Sequence, residues 1–126
     1  MRPSIRKAGL AFMAVLGSSS TLLAAGDPSA GQAVFSARCA ACHATTSGEN
    51  KIGPSLASIV GSKSGAVPGF DFSPAMKSAD INWDDANLDK FLANPTGFIH
   101  GTKMFVNLPN ATDRENVIAY LHTLTK

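Results

Sequence analysis

The sequence predicts an all-α domain. Helix-start signals recur along it, and apolar residues repeat at the three- and four-residue spacing of helices. No stretch alternates apolar and polar residues as a half-buried strand does. Segments rich in glycine and proline separate the predicted helices, and 126 residues are typical of a single domain.

Residues 1–25 have the pattern of a secretory signal peptide and not of a folded element. Basic residues precede an apolar run at residues 8–17, and small residues follow it. The run is far shorter than the roughly 20 residues that a membrane-spanning helix requires. We expect cleavage after Ala25 or Gly26, no stable membrane insertion, and a periplasmic domain of residues 26–126.

The charge of the mature chain does not favour nucleic acid as a partner. The whole chain has 11 Lys and Arg against nine Asp and Glu. Three of the basic residues precede residue 26, so eight remain against nine and the mature net charge is −1. No run of Lys or Arg could follow a phosphate backbone. A domain of about 100 residues has a modest core, so a bound group could supply apolar volume.

Four helices are predicted in the mature chain. The first begins at Asp27-Pro28, an N-cap followed by proline at the first helical position, and reaches the CAACH sequence of residues 39–43. Residues 73–74, Ser-Pro, repeat this signal for a short helix. A third helix begins at residue 84 or 85 and is stopped by Asn-Pro at 94–95. Its apolar stripe consists of Leu88, Phe91 and Leu92.

The last helix carries the strongest pattern. Thr112 and Glu115 have the spacing of a capping box, and the helix is expected to run to the C-terminus. Its apolar face consists of Val117, Ile118, Leu121 and Leu124. By contrast, residues 44–72 hold five glycines and two prolines and no clear element. A loop of that length in a small domain suggests that it wraps something.

The CAACH sequence has several possible functions. A thioredoxin-like dithiol belongs at a strand-to-helix junction, and no strand is predicted. A structural zinc site takes four N or S ligands, whereas the chain has two cysteines, and His100 and His122 are distant from them in sequence. A disulfide here would close too small a loop to stabilise much. Covalent haem attachment explains all three residues, because Cys39 and Cys42 would bind the vinyl groups and His43 the iron.

The sixth ligand of such an iron distinguishes an electron carrier from a catalyst or a sensor. Methionine is the soft ligand that favours Fe(II) and raises the potential. The candidates in the mature chain are Met76, Met104 and, less favourably, His100.

In this pattern the mature chain, from Gly26 to Lys126, resembles the class I c-type cytochromes, on the branch of mitochondrial cytochrome c and the soluble bacterial carriers. The segments that carry the resemblance are, in order, GDPSAGQAVF, CAACH, KIGPSL, INW, LANPTGFIHGTKMF and VIAYL. The resemblance implies an all-α fold of helices and long loops wrapped around one covalently bound haem c. It implies crossed terminal helices, with Gly31 and Phe35 facing Val117 and Tyr120.

The resemblance also assigns roles within the site. Met104 is the expected axial sulfur, and Pro54 offers its carbonyl to the other ring nitrogen of His43. Trp83 is expected against the haem, with its N–H on a propionate. The expected pocket lining is Leu56, Leu92 and Phe105, with Phe91 beside the Met104 sulfur.

The chain departs from its mitochondrial relatives at polar positions. Phenylalanine replaces tyrosine around the haem at residues 70, 72 and 91, and Ser62 replaces an arginine near a propionate, for which Lys63 is a candidate substitute. Thr96 and Gly97 replace two lysines of the docking face. The basic residues that could keep part of that face are Arg38, Lys51, Lys77 and Lys103.

The expected function is that of a soluble, monomeric one-electron carrier in a respiratory or photosynthetic chain, and not of an enzyme. Its expected partners are an oxidase, a reductase or a cytochrome bc complex, met through transient contacts. Two alternatives remain open. One is a sensor or peroxidase-like protein with a labile sixth ligand, and the other is the haem module of one dedicated dehydrogenase.

Overall fold

Five α-helices follow one another in the computed structural model, which describes residues 26–124 together with Ser4, Gly9 and Ala11. The helices are α1 (Pro28–Arg38), α2 (Pro74–Ser78), α3 (Asp85–Ala93), α4 (Pro95–Phe98) and α5 (Ala111–His122). Within the described residues the only strand-like pairing is an isolated bridge between Lys63 and Asn82. The all-α fold is therefore confirmed. The predicted signal peptide lies almost wholly outside the described residues.

The first three helices begin where the sequence predicts. Asp27 caps α1 by accepting from the Ser29 amide at 2.9 Å, and Ser73 caps α2 through the Met76 amide. Of the two candidates for α3, Asp84 is the cap, and its carboxylate accepts from the Asn87 amide. Each side chain satisfies an amide that the first turn leaves without a helical partner.

The predicted start of the last helix is wrong. Asn110, not Thr112, caps α5, since its side chain accepts from the Asp113 amide at 3.0 Å. Asparagine is a better cap than threonine, and the helix accordingly begins two residues before Asp113. Thr112 and Glu115 are exposed and form no capping box. The helix ends at His122 instead of the C-terminus, with Thr123 as its cap.

One short helix is not predicted by the sequence pattern. α3 ends at Ala93, and the four-residue α4 follows at once, capped by Asn94, whose side chain accepts from the Gly97 amide at 3.1 Å. Asn-Pro stops one helix and starts another, because proline disfavours the α conformation of the residue before it while suiting a first helical turn.

The crossing of α1 and α5 holds the ends of the domain together. A side chain at Gly31 would overlap the backbone carbonyl of Asn116, so only glycine permits this approach of the two helices. Beside it the rings of Phe35 and Tyr120 lie 5.3 Å apart. Val117 on α5 is 1% exposed, the most buried large side chain of the described core. The predicted helix crossing is confirmed.

The segment of residues 44–72 contains no helix, but several of its polar side chains are hydrogen-bonded within it. Ser55 donates to the Thr46 carbonyl at 2.7 Å, while the Asn50 side chain bonds both the Ser55 amide and the Pro68 carbonyl. These hydrogen bonds give the loop a defined path around one side of the molecule. No helix in the described part of the chain is both long enough and apolar enough to cross a bilayer.

Candidate functional site

The CAACH sequence lies in the turn that ends α1. The Cys39 amide continues the helix by donating to the Phe35 carbonyl at 2.8 Å. The amides of Cys42 and His43 then both donate to the Cys39 carbonyl, at 3.0 and 2.9 Å. This turn leaves both cysteines as half-buried free thiols. The motif follows a helix and not a strand, unlike the arrangement that a thioredoxin-like dithiol needs.

The ring of His43 is held from two directions. Its Nδ1 donates to the Pro54 carbonyl at 2.7 Å, which leaves Nε2 of the neutral ring with a free lone pair. A side chain at Gly53 would overlap the ring at Cε1 and lie 2.8 Å from Nδ1. The Gly53 amide also donates to the Cys42 carbonyl at 2.8 Å. Gly53 and Pro54 therefore fix both the orientation and the tautomer of the histidine, as a metal-binding imidazole requires.

Burial sets the protonation of these groups. It lowers the pKa of the His43 imidazole below its ordinary value, and the bond to Pro54 opposes this only in part. Neutral imidazole, the form that binds a metal, is thereby favoured. Burial raises the pKa of the Cys39 thiol. The charge of Arg38 lowers this pKa by a smaller amount, and Cys42 raises it further.

A cavity of about 300 Å³ opens beside this turn. All nine residues predicted to bind the cofactor line or border it, and Leu92 lines it as well. The nine are Cys39, Cys42, His43, Pro54, Leu56, Trp83, Phe91, Met104 and Phe105. The described residues that line it include no Asp or Glu. The site is thus an apolar chamber with sulfur and nitrogen donors.

Of the three candidates for a sixth ligand, two reach the cavity. Met104 is half-buried and Met76 is 8% exposed, and both line the wall. His100 is exposed and is not part of the wall. Among the described residues no group of three or more His, Cys, Asp or Glu could hold a metal ion, so the zinc alternative finds no ligand set there.

The aromatic part of the wall is packed from behind. Trp83 and Phe91 are buried at 5% and 7% exposure, with ring centroids 5.0 Å apart. The backbone of Trp83 is paired, because its amide donates to the Ser62 carbonyl and its carbonyl accepts from the Gly61 amide. Its indole N–H, by contrast, has no acceptor among the described residues. A donor that faces a cavity without a protein partner is suited to a bound acceptor.

Lys63, the candidate substitute for the missing arginine, is already paired with a carboxylate. Lys63 borders the cavity, but its ammonium lies 2.6 Å from the Asp80 carboxylate, and both side chains are largely exposed. The bridge between Lys63 and Asn82 brings the two segments together. The sequence pattern does not reveal this pairing, and it makes Lys63 a weaker partner for a propionate than the sequence suggests.

Exposed apolar side chains border the mouth of the cavity, and the basic residues Arg38 and Lys103 border it as well. Phe105 borders the cavity as predicted, but its side chain is 79% exposed, so it forms part of the rim instead of the packed wall. Two more apolar side chains that border the cavity are also exposed, Ile52 at 80% and Val106 at 44%. Sequence analysis missed both, because an isolated apolar residue in a loop gives no periodic signal.

The cavity suits a haem by the chemistry of its donors. One apolar cavity is lined by the thiols of Cys39 and Cys42, the imidazole of His43 and the thioether of Met104. The indole of Trp83, whose N–H has no acceptor among the described residues, lines it as well. Such a set matches the vinyl groups, the iron and the propionates of a c-type haem. The residues present therefore fit the group that the motif implies.

Comparison with known proteins points the same way. The family model described as cytochrome c matches residues 28–125. The chain is 47% identical over 107 residues to cytochrome c2 of Rhodomicrobium vannielii, covering 83% of this chain and 85% of that protein. It is 43% identical over 100 residues to cytochrome c of Euglena viridis, covering 79% and 98%.

A solved structure agrees in fold. Cytochrome cH from Methylobacterium extorquens superposes with a TM-score of 0.72 at 39% sequence identity, covering 78% of this chain and 99% of that one.

Proposed function

The chain belongs to the cytochrome c family, and from that premise we propose that His43 and Met104 would hold the iron of its haem. It is an electron carrier and not an enzyme, and its cofactor is covalently attached haem c. When bound, the haem supplies a one-electron couple between Fe(III) and Fe(II). The remaining chemistry is that of the surrounding residues.

The observation that carries this assignment is the meeting of four donors in one cavity. Cys39 and Cys42 would anchor the haem as thioethers, and the Pro54 carbonyl holds His43 in the tautomer that leaves Nε2 free. Met104 would close the sixth position and keep other molecules from the iron. The apolar wall excludes water, which favours the same ligation in both redox states.

The other binding residues would act on the haem indirectly. The indole N–H of Trp83 has no acceptor among the described residues, and we assign it to a propionate. Leu56 and Phe91 contribute apolar wall, and Phe105 contributes rim. Phe91 has no polar atom in its side chain, so it adds no hydrogen-bond donor to this wall.

Replacing each methionine in turn tests the ligand assignment. Met104→Ala should open the iron to carbon monoxide or imidazole, remove the ferric sulfur-to-iron charge-transfer absorption and lower the midpoint potential. Met76→Ala is the matched control, because Met76 also lines the cavity, and it should do none of these. If Met76→Ala opens the iron instead, the assignment is wrong. If carbon monoxide already binds the native protein readily, a sensor or peroxidase-like function is favoured.

We propose residues 1–25 as a secretory signal peptide and the periplasm of a bacterium as the place of action. Two observations support a domain that begins at residue 26: a side chain at Gly26 would overlap the backbone of Glu115, and the Asp27 amide donates to the Asn116 side chain at 2.8 Å. These contacts favour a cut after Ala25. The intact mass of the exported protein should equal residues 26–126 plus one haem. A haem-free product with a Cys39–Cys42 disulfide would contradict the proposal.

We propose that its partners are redox proteins, an oxidase, a reductase or a cytochrome bc complex, that dock transiently at the mouth of the cavity. Ile52, Phe105 and Val106 offer an apolar centre there, while Arg38 and Lys103 are nearby cations. A suitable partner face has an apolar centre with carboxylates around it. Brief docking of this kind needs a small interface, and it is compatible with a monomer.

A further inference from the structure

The segment that carries Met104 is held at its ends and free in its middle. We call residues 99–110, between α4 and α5, the Met104 loop. On its early side Lys103 donates to the Asp71 carbonyl at 2.8 Å, and the Met104 amide donates to Thr102 Oγ1 at 3.4 Å. The amides of residues 105–107 donate no hydrogen bond within the described chain. The position of the sulfur therefore depends on the anchors at either end.

Two arginines hold the late end of the loop. Arg38, at the end of α1, donates through Nη2 to the Asn107 carbonyl at 3.2 Å. Arg114, on α5, donates through Nη1 to the carbonyls of Leu108 at 2.9 Å and Pro109 at 3.0 Å. Three consecutive carbonyls are thus bound by guanidinium groups from the two helices that cross.

Arg114 is the firmer of the two anchors. Its side chain is 14% exposed, and its Nε lies 2.7 Å from the Asp89 carboxylate on α3. Arg38 by contrast is exposed. A largely buried guanidinium that left its partners would lose charged hydrogen bonds and remain poorly solvated. The planar group is thereby oriented by Asp89 and directed at the loop.

We propose that Arg114 is a positioning residue for the sixth ligand, holding the late end of the Met104 loop so that the sulfur stays on the iron. This rests on the proposed ligation by Met104. The Leu108 amide also donates to the Leu92 carbonyl at 2.8 Å. Loss of Arg114 would leave this bond and the bond from Arg38 to the Asn107 carbonyl as the anchors at the late end within the described residues. With the Leu108 and Pro109 carbonyls released, that end of the loop gains conformational freedom when the sulfur detaches.

Imidazole binding to the ferric holoprotein measures how often the sulfur detaches, because imidazole and Met104 would compete for one position. Arg114→Gln should tighten the apparent imidazole affinity about ten-fold, the effect expected from losing charged hydrogen bonds. Asp89→Asn should tighten it about three-fold, since it removes the orienting carboxylate but keeps the guanidinium. Loss of the sulfur-to-iron absorption provides the spectroscopic readout.

The chain offers a matched control in a second ion pair between the same two helices. The Asp85 carboxylate on α3 lies 2.6 Å from the His122 imidazole on α5. Asp89, by contrast, is paired with Arg114, which bonds the Met104 loop. Asp85→Asn should change the imidazole affinity less than about two-fold, as expected for an exposed pair. Equal effects of Asp85→Asn and Arg114→Gln would overturn the proposal.

A second control separates positioning from general loosening. Ile118→Ala weakens the core through α5, since Ile118 is 7% exposed, and Ile118 neither lines the cavity nor bonds the Met104 loop. If imidazole affinity follows the unfolding midpoint across Ile118→Ala and Arg114→Gln alike, the proposal fails. If Met104→Ala leaves affinity and absorption unchanged, the ligand assignment fails instead, so the two failures are distinguishable.

Discussion

The two sides of the cavity are built by different means. Two residues of the following loop contact the His43 ring directly. The Gly53 backbone lies against the ring, and the Pro54 carbonyl lies 2.7 Å from Nδ1. Met104 lies in a loop whose anchors, such as Arg114, come from helices. Beyond it Phe105 is 79% exposed. Ligand loss should therefore begin on the methionine side, where fewer local contacts define the position.

Adding a methyl group to the histidine side should have the largest effect. Gly53→Ala would place Cβ against the His43 ring, and either the ring or the 53–54 backbone must move. We expect the free energy of unfolding of the holoprotein to fall by about 2–3 kcal/mol, measured by denaturant titration. Because Gly53 does not have a positive φ, this cost is steric and not conformational.

A second glycine in the same segment provides the control for that change. Gly48 has φ of 81° and nothing within 4 Å of an added Cβ, so Gly48→Ala carries only backbone strain. That strain should cost about 1–2 kcal/mol. If the Gly53 variant were no less stable than the Gly48 variant, the His43 ring or the 53–54 backbone would move aside at little cost, and the histidine side would not be rigid.

A hydroxyl on Phe91 should have a smaller, electronic effect. Phe91 is buried and borders the cavity. If Phe91 lies beside the Met104 sulfur, as the resemblance implies, Phe91→Tyr would add a donor that withdraws electron density from that sulfur and favours Fe(II). One hydrogen bond of about 0.5–1.5 kcal/mol corresponds to a rise of roughly 20–60 mV in midpoint potential, measurable by redox titration. An unchanged or lower potential with ligation intact would place the hydroxyl elsewhere.

The rate of electron transfer through the mouth of the cavity should depend only weakly on salt concentration. Thr96 and Gly97 are both exposed and uncharged. We therefore expect weak electrostatic attraction of a partner, so that apolar contacts orient it. We expect the bimolecular electron-transfer rate to fall less than about three-fold from roughly 10 to 200 mM salt, while the Debye length shrinks from roughly 30 Å to below 10 Å. Stopped-flow rates would check this. An order-of-magnitude fall would mean that Arg38, Lys51, Lys77 and Lys103 act together as a basic ring.

The smallest effect is expected from the exposed ion pair between Lys63 and Asp80. The hydrogen bond from Lys63 lowers the pKa of the Asp80 carboxyl below its ordinary 3.8, and the ammonium charge adds to this. A depressed folded pKa stabilises the protein above pH 3.8, and this contribution is lost as the pH falls through the lower folded value. Asp80→Asn should lower the neutral-pH stability only slightly, since the pair is exposed, and should remove this pair's share of the fall in stability below pH 3.8. A marked loss at neutral pH in thermal unfolding would show that the pair fixes the 63–82 bridge.

Local signals in the sequence were enough to predict most of the helices and the attachment motif. An N-cap acts on amides two or three residues away, so Asp27, Ser73 and Asp84 could be identified from their neighbours. CAACH is equally local, since both thiols and the imidazole come from five consecutive residues. The false capping box at Thr112 shows the limit of such signals, because Asn110 competed from two residues earlier.

The sequence by itself determined the helical class, the haem-binding motif and the set of sulfur donors, because these depend on residue type and short spacing. Only the tertiary structure decided which donors share a cavity, that Lys63 pairs with Asp80, and that Phe105 lies at the rim. It also joined Arg114 to Asp89 and to the Met104 loop, across 25 residues in the first case. Side-chain direction in loops depends on packing between distant segments, and no periodicity in the chain encodes it.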